Sequence, residues 1–235
     1  MFNFKSFLVL TSIFCLNICA ASHQLTCDFD YKVTPNNKSA YNQHTDVERA
    51  GVVLCKDYRQ DEPGKPNSRY AVILGHDRNT NTWSFQAGKC EAHHKYTSDV
   101  ARDELYEETG TNIKLNSKQI SQSPYIYHGK KQLFFVRYDQ ASVRDIKKSC
   151  LQTIQNPTLS KSFKEIDDVV AVSLIDLIQL GHNIKTNNIK QNTYTLRSKS
   201  QNRPIEIEGY YMRMIAYRID EVKQIFNHLL PGARF

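Results

Sequence analysis

The chain's patterning predicts an α/β (α+β) fold, a sandwich of helices around a mixed β-sheet. Three observations carry this. Compact apolar runs bounded by turn residues lie at Ala50 to Cys55 (AGVVLC) and Tyr70 to Leu74 (YAVIL). An acidic segment between Thr97 and Gly110 has a helix start and a helix stop. A closing segment, Tyr210 to Leu230, repeats its apolar residues at helical spacing.

Length and composition bound the rest. A chain of 235 residues that is 40% hydrophobic and 23% charged can bury a substantial core as one domain with embellishments. Its formal charge of +7 favours anionic partners such as nucleotides or polyphosphates. Lys and Arg are spread along the chain without dense runs, which argues against a nucleic-acid partner.

The N-terminus has a different character. Lys5 precedes an apolar run from Phe7 to Ala20, and small residues follow at Ala21 and Ser22. That is the order of a secretory signal peptide over 1–22, which implies a secreted or periplasmic protein. The run is too short, and too interrupted by polar residues, to span a membrane. After signal removal no stable span is expected. A polar arm over 23–46 then leads to a single domain over 47–235 that ends in a hairpin and a helix. Cys27, Cys55, Cys90 and Cys150 would remain after cleavage, enough for two disulfides in any of three connectivities or for four scattered buried thiols. Their wide spacing lacks a zinc-ligand pattern.

The elements follow in order. After the run at Ala50 comes a turn-rich connection, Asp57 to Ser68, containing Pro63, Gly64 and Pro66. Behind the Tyr70 strand, Asp77 to Asn81 reads as a turn and Thr82 to Phe85 as a short strand. Gly88 to Tyr96 reads as a loop, and a helix begins near Thr97, with Thr97 or Ser98 as cap and Asp99 suited to its positive end. Val100, Ala101 and Leu105 supply its apolar face, and Gly110 its stop. Strands are predicted at Asn112 to Leu115, Pro124 to Tyr127, Gln132 to Tyr138 and Val169 to Val172. Helices are predicted at Ala141 to Cys150 and Ile175 to Leu180, then a polar linker over Gly181 to Asn192 and two short strands around Asn202 to Pro204.

The acidic helix carries the chemistry. Glu104, Glu107 and Glu108 stand at i, i+3 and i+4, so their carboxylates share one face and repel. A cation relieves that repulsion, and an all-oxygen donor set favours magnesium, manganese or calcium over zinc. Strings of this kind are also common on solvated helices, so the surroundings decide.

Those surroundings are Trp83-Ser84-Phe85-Gln86-Ala87-Gly88-Lys89-Cys90-Glu91 and Val100-Ala101-Arg102-Asp103-Glu104-Leu105-Tyr106-Glu107-Glu108-Thr109-Gly110. Together they resemble the box of the Nudix hydrolase family, G-x5-E-x7-R-E-U-x-E-E-x-G-U with U a bulky aliphatic residue. The flanks at Ala50 to Leu74 and Glu165 to Leu180 are similar to that family's core strands and the strand and helix after its box. Three departures stand out. Asp103 occupies the box arginine's place, one extra residue separates Gly88 from Glu104, and no acid occurs around His93, His94 and Lys95.

The resemblance implies a Nudix-type α/β/α sandwich and hydrolysis of a pyrophosphate bond in a nucleoside diphosphate linked to another moiety. It implies Mg2+ or Mn2+ held by Glu104, Glu107, Glu108 and the Gly88 carbonyl. Glu104, Glu107 and Glu165 are the catalytic candidates, with Glu104 and Glu165 as possible general bases. Lys89 and Arg102 are candidate phosphate contacts, and Tyr125 and Tyr127 candidate base-stacking residues whose ordinary role in a strand would be core packing. His93 and His94 read as an exposed loop pair. The alternative is a catalytically degenerate domain that binds a nucleotide or a protein; a third reading is a basic exported protein whose box is accidental.

Overall fold

The structure, a computed structural model, describes residues 47–57, 69–110, 113–197 and 204–233. The expected signal peptide, the polar arm with Cys27, most of the turn-rich connection, and Asn112 and Asn202 lie outside the described residues.

The centre of the sheet is strand β1 (Arg49–Asp57), buried along almost its whole length. Val52, Val53, Leu54 and Cys55 are each fully enclosed. A strand covered on both faces reads as a continuous apolar run, which is why AGVVLC does not alternate. β1 pairs in parallel with β6 (Lys131–Arg137) on one edge. On its other edge it pairs antiparallel with two strands in succession. Its C-terminal half takes β2 (Tyr70–Asp77), and its N-terminal half takes β4 (Gln86–Lys89). The short β3 (Thr82–Ser84) stays on β2, so the chain crosses between the two partners at Phe85. β5 (Tyr125–His128), β7 (Ile166–Ser173), β8 (Thr193–Leu196) and β9 (Ile205–Glu208) complete a mixed sheet of nine strands among the described residues.

Helices cover both faces, giving the α/β/α sandwich. On one face α1 (Thr97–Glu108) and α3 (Val143–Gln155) pack Val100, Ala101, Leu105 and Ile146 against Val52, Leu54 and Phe134. The short α2 (Ser117–Ser121) adds Ile120. On the other face α4 (Leu174–Asn187), α5 (Gly209–Tyr217) and α6 (Ile219–Leu229) cover Val53, Leu74 and Phe135 with Leu177, Met214 and Phe226. Burying a side chain such as Leu105 is worth about 1.5–3 kcal/mol.

Several boundaries differ from the sequence expectation. Gly88 and Lys89 belong to β4 and not to a loop, because they pair with Ala50 and Arg49. The cap of α1 is Tyr96, one residue earlier than expected, since the Asp99 carboxylate accepts the Tyr96 N–H at 3.0 Å; Thr97 and Ser98 are buried inside the helix. Ile113 to Leu115 forms no strand but anchors Ile113 and Leu115 in the α1-side core. The expected linker after Gly181 is helical to Asn187, which ends the helix in the left-handed conformation of Asn188. Gly181 packs so closely on the final helix that a Cβ there would lie 2.9 Å from Ile219. The single closing helix is two, broken at Arg218. Cys55, Cys90 and Cys150 are free thiols, so the two-disulfide arrangement is not formed. Each instead points at a backbone carbonyl, of Val53, Val47 and Glu108 respectively.

Gly110 closes α1 as the sequence requires. Its φ of +65° favours glycine, and a Cβ there would meet Thr153 Oγ1 at 2.5 Å and the Ser149 carbonyl oxygen at 2.8 Å. The stop is therefore also the contact that locks α1 to α3.

Candidate active site

The site forms where α1 crosses the N-terminal end of β1 and the C-terminal end of β4. Pairing of Arg49 with Lys89 and of Ala50 with Gly88 fixes which way each side chain points. Ala50 belongs to the α1-side core, so Gly88 beside it faces α1 as well. The Glu104 carboxylate fills the space in front of Gly88, in contact with the position a Cβ would occupy. Only glycine leaves room for it.

Around Glu104 the other acids gather. Burial pushes its carboxyl up to about 7, helped by the negative charges of Glu107, Glu165 and Glu91 and opposed by Arg49. Glu108 is pushed well above the usual range, first by burial and then by Glu104, Glu165 and Asp77, although the Ala87 N–H donates to it. Its Oε2 is enclosed without a hydrogen-bond partner. Glu165, just ahead of β7, is raised by burial and by Asp77 and Glu107. The Arg78 N–H donates to the Glu165 carbonyl at 2.9 Å, tying that residue to the end of β2. Asp77 in turn caps the turn after β2 by accepting the Asn79 N–H at 2.7 Å.

Glu104, Glu107, Glu108 and Glu165 are thus one electrostatic cluster, assembled from a helix and the approach to a distant strand. A cluster in which Glu104, Glu108 and Glu165 are driven towards the neutral acid, with an orphaned buried oxygen and a glycine cradle at its centre, suits a hard divalent cation. Mg2+ and Mn2+ fit this donor set.

The remaining predicted residues divide. Lys89 lies at the rim, exposed, beside Arg49. Arg102 is engaged elsewhere: its Nε donates to Asp103 Oδ1 at 2.6 Å and its guanidinium to Ser117 Oγ at 3.0 Å. Tyr125 and Tyr127 pack against the α1-side core, Tyr125 on the ring of Phe134 at 5.9 Å. His93 is exposed, but His94 is buried, correcting the reading of both as an exposed loop pair. The Glu91 N–H donates to His94 Nδ1 at 2.9 Å, and His94 Nε2 faces Asp103 Oδ2 at 3.3 Å. His93, His94 and Asp103 bring three ligand atoms within 4.8 Å of one another. With Nδ1 accepting, the neutral His94 ring carries its proton on Nε2 and donates it to Asp103. The arrangement is therefore a latch between the loop and α1, and His94 Nε2 has no lone pair for a metal.

Sequence reasoning missed a second group of residues. Gln132 sits beside Ala50 on the face towards α1, and neither atom of its enclosed amide has a hydrogen-bond partner. On the opposite face Arg49, Lys131, Glu208, Tyr210 and Tyr211 act on one another electrostatically. No signal short of the strand register could have placed them together.

No family profile matches the chain, and no curated protein does. Among solved structures it is similar to a C. elegans Ap4A hydrolase in a binary complex, with a TM-score of 0.35 and 14% identity over 56% of this chain and 84% of that one. It is also similar to a MutT/Nudix family protein from Enterococcus faecalis (TM-score 0.42, 12% identity, 92% of this chain and 74% of that one). A third is a MutT/Nudix family protein from Listeria innocua (TM-score 0.37, 12% identity, 77% and 96%). These likenesses leave the chemistry to be argued from the chain's own residues.

Proposed function

We propose that the chain is a Nudix-type pyrophosphohydrolase that splits the pyrophosphate bond of a nucleoside diphosphate linked to another moiety. The observation that carries this is the seating of Glu104 against Gly88 within a cluster of four glutamates, where burial and the neighbouring carboxylates outweigh the pull of Arg49 on Glu104. Glu104, Glu107 and Glu108, with the Gly88 carbonyl, would hold Mg2+ or Mn2+. Such an ion neutralises phosphate oxygens and lowers the pKa of a bound water.

The chain's own groups supply the rest. Glu104, at the centre of the cluster, is one candidate to take the proton of the attacking water. Glu165 borders the same cluster and is the other candidate base. Lys89 at the rim is suited to a phosphate oxygen. Arg102 is bound to Asp103 and Ser117, so the phosphate role expected of it passes to Arg49, whose charge reaches Glu104. The N-terminal apolar run supports export, which predicts a mature N-terminus near residues 21 to 23 by mass spectrometry.

A panel of ADP-ribose, NADH, diadenosine polyphosphates and nucleoside triphosphates, each incubated with Mg2+ or Mn2+ and followed by chromatography for the two phosphorylated halves that water addition across the pyrophosphate bond leaves, tests the proposal. Replacing Glu107 and Glu108 together by Gln should lower turnover by about 100-fold or more. Activity that survives the double replacement overturns the site. A nucleotide-binding module without turnover is the second reading, favoured by Asp103 in the arginine's place and its engagement by His94; binding with no product would support it.

A further inference from the structure

Strand register brings three cations into one row. Arg49, the first residue of β1, pairs with Lys89 of β4 on one side and Lys131 of β6 on the other. Paired residues on neighbouring strands send their side chains to the same face, and Arg49 alternates with Ala50, which faces α1. The row therefore lies on the face opposite the Gly88 cradle, at the same end of the sheet. Like charges opposed across a ladder are destabilising, so a row of three needs a compensating partner.

What surrounds the row falls short of that. Glu48 is nearby but bonded to Lys130 at 2.7 Å. Glu208 is pushed up by burial, against the pull of Lys131 and Arg49. Arg213 adds a further positive charge, 5.8 Å from the Tyr210 ring. The Lys131 ammonium rests on the face of that same ring, 2.9 Å from its centroid. Burial pushes Lys131 down to about 8, and the charges of Arg49 and Arg213 add to it. The Tyr211 hydroxyl, on a residue that is 2% exposed, takes a hydrogen bond from Arg49 and is enclosed with no acceptor for its own proton. Cations in excess and an orphaned donor converge on one spot. That is the chemistry of an anion site.

We propose that Lys89, Arg49 and Lys131, with the Tyr211 hydroxyl, form an anion subsite that binds a phosphoryl group without a metal. It would hold a phosphate of the substrate that lies away from the glutamate cluster. Arg49 joins the two regions, since its charge also reaches Glu104. The identity of the ligand rests on the pyrophosphohydrolase reading; the binding of a phosphate does not.

The test is titration of the purified chain with inorganic pyrophosphate in EDTA at pH 7 and low salt, followed calorimetrically. The parent should bind saturably. Lys131→Gln should weaken binding at least about 10-fold, Lys131→Arg should retain it, and added salt should weaken the parent. Thermal melts confirm that each variant is folded, and the arginine variant keeps the test valid if the glutamine one is not. No saturable binding by the parent, or equal affinity in a folded Lys131→Gln, overturns the proposal. Because no metal or turnover is involved, a failed hydrolysis assay leaves this result standing, and the reverse holds too.

Discussion

The Glu104 carboxylate occupies the space that a side chain at position 88 would need. The atoms in conflict are the far end of a flexible side chain, so Gly88→Ala can be accommodated by swinging the carboxylate away. Stability and activity should therefore separate. Gly88→Ala is expected to change the unfolding free energy by less than about 1 kcal/mol. On the proposed reading turnover should fall about 100-fold, because the carboxylate proposed as ligand and base no longer meets the substrate in register. Urea melts and steady-state rates on one preparation measure both. A variant that loses neither shows that the contact with Gly88 does not position the carboxylate.

The same carboxylate makes metal-free stability depend on pH. Its folded pKa near 7 lies above the value of about 4.3 expected for an unfolded glutamate. Between those values the native state holds a proton that the unfolded chain has lost, so stability falls as pH rises through this window. Glu108 and Glu165 shift in the same direction. In EDTA, Glu104→Gln should melt higher than the parent at pH 8 and close to it at pH 4.5. A constant difference between the two across that range would contradict the raised carboxyl.

The departure at position 103 predicts its own outcome. Asp103 is held by Arg102 Nε at 2.6 Å and the buried His94 ring at 3.3 Å, with the exposed His93 ring at 3.8 Å. Burial alone would raise its carboxyl, yet Arg102 and His94 keep it below the ordinary range. Asp103→Arg, which puts there the arginine of the box that this segment resembles, should cost about 1–3 kcal/mol by leaving His94 Nε2 unpaired and setting two arginines side by side. It should not raise turnover. Denaturant unfolding together with the rate checks this, and a faster enzyme would show that Asp103 is a lesion and not a replacement latch.

These cases mark what the sequence could disclose. The apolar runs of β1 and β2, the i, i+3, i+4 acids and Gly110 are local patterns, and local patterns are legible. The strand expected at Asn112 to Leu115 is absent from the described residues 113–115, because buried apolar residues satisfy a strand pattern and an irregular anchor equally well. Helix α4 runs past the Leu180 end that its sequence suggests, because the polar-looking stretch from Gly181 conceals a close helix–helix contact. His93 and His94 look alike as loop residues, and only the fold, which buries His94 against Asp103, separates them. Arg49 and Lys131 lie 82 positions apart and meet through parallel pairing, whose register no spacing in the sequence encodes.

That pairing yields a pH dependence of the opposite kind. Lys131, brought down to about 8 first by burial and then by Arg49 and Arg213, is pulled back only in part by Glu208 and Glu48 and rests on Tyr210. Below that pH it is an ammonium and attracts phosphate; above it, the amine is neutral and its contribution is lost. Pyrophosphate affinity in EDTA should thus fall as pH rises through about 8, whereas Lys131→Arg, charged throughout, should stay level over the same range. Binding near that midpoint should also take up a proton, because an anion beside the amine favours its charged form. Calorimetry in buffers of different ionisation enthalpy reads the uptake directly. Equal pH profiles for the parent and the arginine variant would remove Lys131 from the subsite.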